Sequence, residues 1–191
     1  KNLILKLFNL SLQINGFPIR KAKKELSNIL AVSEADFPIY LETKKNEIVA
    51  YHVQNNPFYN SIVGGKPIEK WEDIPVMRKI HFQKPLQERL SKGYTKSNVY
   101  INKTSGSSGD PFVFAKDKFC HALIWANIMR RFEWYSIDFN HSLQARFYGM
   151  PLDFIANKKL RLKDFLSHRY RFNIFDFSEE AMGRMLSKFQ N

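Results

Sequence analysis

The chain has 191 residues, of which 44% are hydrophobic and 15% aromatic, and its formal net charge is +12. These proportions exclude a disordered tail, and a single cysteine excludes an internal disulfide. The basic excess is seven charges over residues 1–100 and five over residues 101–191. It is therefore a distributed attraction for nucleic acid, an anionic membrane surface or small anionic substrates.

Residues 1 to about 60 carry helical periodicity, with Ile48, Tyr51 and His52 spaced for one face and Ser33-Glu-Ala-Asp36 resembling a helix start. Pro38, Pro57 and Pro67 divide this region into short segments. At its head the apolar run Leu3 to Leu12 is too short to span a bilayer, is interrupted by Lys6 and Asn9, and lacks the small-residue cleavage site of a signal peptide. With the cluster Arg20, Lys21, Lys23 and Lys24 it forms a basic amphipathic N-terminus, which reads either as a membrane-surface contact or as a solvated helix face.

Further along, Arg78 to Lys92 reads as an amphipathic helix closed by Gly93. Val99 to Asn102 and Phe112 to Ala115 read as strands, and Lys116 to Trp134 is the longest uninterrupted helical pattern, expected to pack on the sheet they form. A strand over Ser142–Tyr148, a helix near Lys159–His168, a strand over Tyr170–Phe175 and a helix over Ser178–Lys188 complete βαβ-like units. Ser178 suits the N-cap of that last helix, and Glu179 and Glu180 suit its first turn. The expected class is α/β, with a helical section over residues 1–95 and an α/β section over residues 96–191.

Between the first two strands lies Thr104-Ser-Gly-Ser-Ser-Gly-Asp-Pro-Phe112. Glycines let backbone N–H groups crowd an anion, and hydroxyls add donors without charge. The stretch lacks the lysine of the common NTPase P-loop and the third glycine of a dinucleotide fingerprint. A polar hairpin turn is its plain reading.

Thr-Ser-Gly-Ser-Ser-Gly-x-Pro resembles the signature loop of the adenylate-forming superfamily, which includes acyl-CoA synthetases and peptide-synthetase adenylation domains. Asn56-Pro-Phe-Tyr59, Ile68 to Pro75 and Arg78-Lys79 resemble the lead-in of the phenylacetate-CoA ligase branch and its capsular-polysaccharide-biosynthesis relatives. Phe112 stands where most superfamily members carry a basic residue, and an uncharged residue there is usual in that branch. The likeness covers about residues 47–191, and the loop is its one specific motif.

The resemblance implies an ATP- and Mg2+-dependent, AMP-forming ligase of the N-terminal part of an adenylate-forming large domain, with a small-molecule carboxylate and coenzyme A as co-substrates. Thr104, Ser105, Gly106, Ser107, Ser108, Gly109 and Pro111 would contact the ATP phosphates. The adenine- and ribose-binding motifs and the lid with its lysine have no counterpart in these residues: Tyr148-Gly149 is followed by Met150-Pro151, not by Thr-Glu. The expectation is an N-terminal portion of a larger cytoplasmic enzyme, able to form a homodimer and to touch the inner face of the membrane, and inactive by itself.

No general base is expected, because a carboxylate is already ionised at neutral pH. Arg130 and Arg131 read as helix-end charges, Trp125, Trp134 and Tyr148 as core, and Cys120 as a buried thiol pointing away from His121. The histidines show no metal-ligand spacing. Two other readings stay open: a non-catalytic, membrane-associated component of cell-surface polysaccharide assembly, and a basic nucleic-acid-binding module, though no specific nucleic-acid motif accompanies the charge.

Overall fold

A computed structural model describes residues 7–65, 68, 70–104, 111–148, 154–166 and 169–190. In chain order the helices and strands are α1 (Leu7–Ile14), α2 (Ile19–Leu30), α3 (Phe37–Asn55), α4 (Pro57–Ile62), α5 (Leu86–Arg89), β1 (Val99–Lys103), β2 (Val113–Asp117), α6 (Lys118–Glu133), β3 (Gln144–Tyr148), α7 (Phe154–Leu166), β4 (Arg169–Asn173) and α8 (Glu179–Gln190). The fold is mixed α/β with small sheets. The chain forms two compact units, Phe17–Ala126 and Lys1–Gly16 with Asn127–Asn191, so the division falls within α6. The expected boundary between a helical section over residues 1–95 and an α/β section over residues 96–191 lies inside the first of them.

In the unit Phe17–Ala126, α2 buries Ile19 and Ala22, one turn apart, and leaves Arg20, Lys21 and Lys24 in solvent. Helix α3 starts where expected: Ser33 Oγ accepts from the Asp36 N–H at 3.1 Å, and Pro38 sits in the first turn, where its missing donor is not needed. Its expected apolar face is only partly covered, since Ile48 is 49% exposed.

Pro57 forces Asn56 to be extended and so ends α3, and Asn56 then caps α4 by accepting from the Tyr59 N–H at 2.9 Å. The single helix expected over Arg78–Lys92 is not formed. A 3₁₀ turn (Lys79–Phe82) and the four-residue α5 stand in its place. Pro85 lies between them, and its ring, lacking an N–H and colliding with the preceding turn, prevents a continuous helix. Gly93 lies beyond, at φ +82°, a left-handed conformation that favours glycine.

Strands β1 and β2 pair antiparallel with Val99 opposite Asp117 and Lys103 opposite Val113. Asp117, the last residue of β2, accepts from the Cys120 N–H at 2.6 Å and so caps α6 directly. Helix α6 packs back on the hairpin as expected: His121 stacks on Tyr100 of β1 with ring centroids 3.6 Å apart.

In the other unit β3 and β4 pair in parallel, as a βαβ connection through α7 requires. Phe8 of α1 packs on Phe139 at 5.3 Å, and Phe139 on Phe132 at 4.9 Å. Phe172 lies between Phe147 and Phe189 at 5.2 and 5.4 Å. Ser178 caps α8 as the sequence indicates, accepting from the Ala181 N–H at 3.2 Å. Trp134 and Tyr148 are not core: they are 67% and 53% exposed, because two-stranded sheets have too little area to cover every aromatic side chain.

Asn56 is only 7% exposed and makes three hydrogen bonds, to the Tyr59 N–H, the Arg89 carbonyl and Ser91 Oγ. Asn56→Ala should therefore lower stability by about 2 kcal/mol, the loss of a cap together with a buried polar junction. Denaturant unfolding measures it, and a change within about 0.5 kcal/mol would contradict the structural role.

Candidate functional site

The β1–β2 hairpin presents the serine- and glycine-rich stretch. Its base is closed by two bonds between Thr104 and Phe112: the Thr104 N–H donates to the Phe112 carbonyl at 3.0 Å, and the Phe112 N–H donates to Thr104 Oγ1 at 2.9 Å. The Thr104 hydroxyl, expected to serve phosphate, thus holds the mouth of its own loop. Pro111 is exposed beside it. Ser105, Gly106, Ser107, Ser108 and Gly109 lie outside the described residues.

Because Phe112 bonds toward Thr104, antiparallel alternation turns the Val113 carbonyl toward the open edge of β2. Arg89 fills that edge. Its Nη2 donates to the Val113 carbonyl at 2.7 Å and its Nε to the Lys84 carbonyl at 2.9 Å. The Arg89 carbonyl in turn accepts from Asn56 Nδ2 at 3.1 Å, and the Lys92 N–H donates to the Asn55 carbonyl at 2.8 Å. Residues 33 and 24 positions apart are thereby tied into one frame under the loop.

An open groove of about 640 Å³ runs beside this frame, with Lys79, Lys84, Arg89 and Lys96 in its wall and Pro111 and Phe112 at the loop end. No carboxylate lines it among the described residues. Four cations among its described lining residues make its field positive, and burial holds the Arg89 guanidinium below its ordinary pKa. None of these four was singled out as a phosphate contact from the sequence, because they are scattered over eighteen positions and only the fold gathers them.

A second cavity of about 490 Å³ shares Phe82, Leu86, Arg89 and Phe112 with the groove, and is otherwise mainly apolar and aromatic, with Tyr51, Tyr59, Tyr94 and Phe114 in its wall. Burial lowers the pKa of His52 in this wall and raises those of Tyr59 and Tyr94, so all three are neutral near pH 7. Such a cavity suits an uncharged, apolar group.

Cys120 lines the same cavity and is exposed, a correction to the buried thiol expected from its helical position. Desolvation and the nearby Asp117 carboxylate raise its pKa, so it is a protonated thiol at neutral pH and a poor nucleophile. His121 does point elsewhere, accepting from Trp125 Nε1 at 3.1 Å. Arg130 lies 3.8 Å from Glu133 in the last turn of α6, in keeping with its reading as a helix-end charge. The described residues contain no group of three His, Cys, Asp or Glu placed to hold a metal ion, and no described helix is long and apolar enough to cross a membrane.

Comparison with protein-family models, with curated proteins and with solved structures found no match to this chain. The functional reading therefore rests on the residues and on the geometry they adopt.

Thr104→Val removes the acceptor of the Phe112 N–H and should cost about 1 kcal/mol, whereas Thr104→Ser keeps it and should cost less. Equal unfolding midpoints for the two variants would show that the closure contributes nothing. For His52 the sign follows from burial: its folded pKa lies below the ordinary 6.5, so the folded state binds fewer protons than the unfolded one. The stability this difference gives is present above the unfolded pKa and is lost as pH falls below it. The denaturant midpoint should drop between about pH 7.5 and about pH 5.5, and drop less in His52→Gln.

Proposed function

We propose that the loop from Thr104 to Phe112 and the basic groove beside it hold the phosphates of ATP, and that this chain corresponds to the N-terminal, phosphate-holding part of an AMP-forming carboxylate–CoA ligase of the phenylacetate-CoA ligase kind. One observation carries the reading. A segment rich in hydroxyls and glycines is mounted on a closed hairpin next to a groove whose described lining holds four cations and no carboxylate.

In the reaction that the resemblance implies, a carboxylate oxygen attacks the α-phosphorus of ATP, the bond to pyrophosphate breaks, and an acyl-adenylate forms. The coenzyme A thiol then displaces AMP. Charge builds on the phosphate oxygens during the first step, and donors fixed before the reaction stabilise it without reorganising. Ser105, Ser107 and Ser108 would supply hydroxyl donors, and Gly106 and Gly109 would permit close backbone approach. Lys79, Lys84 and Lys96 would add the longer-range attraction that draws a polyanion into the groove.

The cavity behind Phe112 would take the uncharged part of the carboxylic acid, since it adjoins the phosphate groove and most of its wall is apolar or aromatic. Among its described residues the groove offers Mg2+ no carboxylate ligand, which suits an ion that keeps its waters and binds through substrate phosphates. Coenzyme A is carried by the resemblance alone.

The reading is tested by titrating the chain with a fluorescent ATP analogue. Ser107→Ala with Ser108→Ala should weaken binding about tenfold or more, at an unchanged unfolding midpoint. Lys79→Gln with Lys84→Gln should weaken it and flatten its salt dependence. An unchanged affinity in the serine double variant would sink the loop assignment, even if the lysine variant binds more weakly.

A further inference from the structure

The parallel pair β3–β4 brings a second group of basic side chains together, none of which lines the groove beside the loop. Gln144 stands opposite Arg169 in the register, and Arg146 opposite Arg171. Residues two apart share a face of the sheet, so these four form two adjacent rows on one side.

Arg171 is fully engaged. Its Nε donates to Asp164 Oδ2 at 2.8 Å and its Nη2 to Asp164 Oδ1 at 3.0 Å, a bidentate pair with a carboxylate only 5% exposed. Asp164 has its two oxygens occupied by that pairing. Arg146 donates from Nε and Nη2 to Gln144 Oε1 at 3.3 and 3.1 Å, which occupies the amide's acceptor and leaves its Nε2 as a donor.

Arg169 differs from both. Its guanidinium lies over the Phe8 ring at 5.1 Å, yet its Nε and Nη2 are buried with no hydrogen-bond partner, and Gln144 Nε2 is buried and unpartnered too. Nε and Nη2 are the same edge that Arg171 offers to Asp164. Desolvation first, and then the neighbouring Arg146 charge, push the Arg169 pKa down to about 10, which still leaves it charged near pH 7. The nearby Asp164 carboxylate offsets part of this charge but is bonded to Arg171, and buried donors left without an acceptor are costly, so the three donor atoms Nε, Nη2 and Gln144 Nε2 define what would relieve them.

We infer that Arg169, with Gln144 and Arg146, forms a binding site for an oxyanion, a carboxylate or a phosphate group, seated across the Nε–Nη2 edge of Arg169. The ligand copies on β4 what Asp164 does for Arg171: two oxygens accept the forked donors. A third bond comes from Gln144 Nε2, and Arg146 supplies further positive charge. A neutral acceptor would fill the hydrogen bonds but leave the charge uncompensated. An anion does both.

The test is thermal unfolding of the full chain in chloride, acetate and inorganic phosphate at matched ionic strength, for the parent chain and for Arg169→Met. In the parent, acetate or phosphate should raise the midpoint by about 5 °C near saturation over chloride. Which of the two anions acts at lower concentration tells a carboxylate site from a phosphate site. Arg169→Met should melt in chloride no lower than the parent and should lose the anion increment. An equal increment in both chains would reduce the effect to general salt exclusion and overturn the inference. So would a parent chain indifferent to both anions, or a variant that melts well below the parent in chloride, since the guanidinium would then be satisfied within the chain. The loop serines play no part in these readings, so the ATP assignment stands or falls separately.

Discussion

Arg89 is the constraint on which the loop and both cavities depend. Its guanidinium satisfies the carbonyl that β2 turns outward at Val113, and its own carbonyl is held by Asn56 at the break between α3 and α4. An open strand edge is otherwise a row of unpaired groups. By closing that edge at one point, Arg89 fixes where β2 begins, and therefore where Phe112 and Thr104 meet. It also stands in the walls of both the basic groove and the apolar cavity. A lysine could not replace it, because the fork reaches two carbonyls, Lys84 and Val113, from one planar group.

The excess positive charge acquires a meaning that composition alone does not give it. Much of it is solvated, as on α2, where Arg20, Lys21 and Lys24 face outward. In two places, however, the fold gathers cations: the groove beside the loop, whose described lining holds no carboxylate, and the β3–β4 face, where Asp164 serves Arg171 and the Nε–Nη2 edge of Arg169 has no acceptor. The contrast with paired sites in the same chain is instructive. Arg171 has Asp164, and Arg130 lies within reach of Glu133. In both cases a carboxylate within reach of the arginine is used, so the Nε–Nη2 edge of Arg169, buried with no acceptor, stands out from its neighbours.

Local chemistry made most elements legible. Ser178 announces α8, the apolar periodicity from Lys118 onward announces α6, and the β-branched and aromatic runs announce β1 and β2. The helix expected over Arg78–Lys92 does not form, because Pro85 breaks the leucine-spaced run between the 3₁₀ turn and α5. Burial was harder to read than secondary structure. Trp134, Tyr148 and Cys120 carry apolar or buried-type side chains, but whether a neighbour covers them depends on sheets of only two strands each, which no local pattern announces. The site shows the same split. Its loop is a contiguous signal, whereas Arg89, Asn56 and the groove lysines are joined by contacts dozens of positions apart.

That split bears on how a phosphate cradle of this kind would work. Seven residues separate Thr104 from Phe112, and bringing the ends of a loop of that length together has an entropic cost. Closing the mouth in advance reduces that cost, because the ends no longer have to be brought together when ligand arrives. Thr104 is therefore better placed as a clasp than as a contact: its hydroxyl accepting from the Phe112 N–H would contribute to every bound state equally, whereas donors of the proposed cradle would act only on the bound charge. In the proposed cradle Thr104 would govern how readily the loop closes, the serines would govern how tightly it grips, and the Arg89 bond to the Val113 carbonyl would keep the two separable.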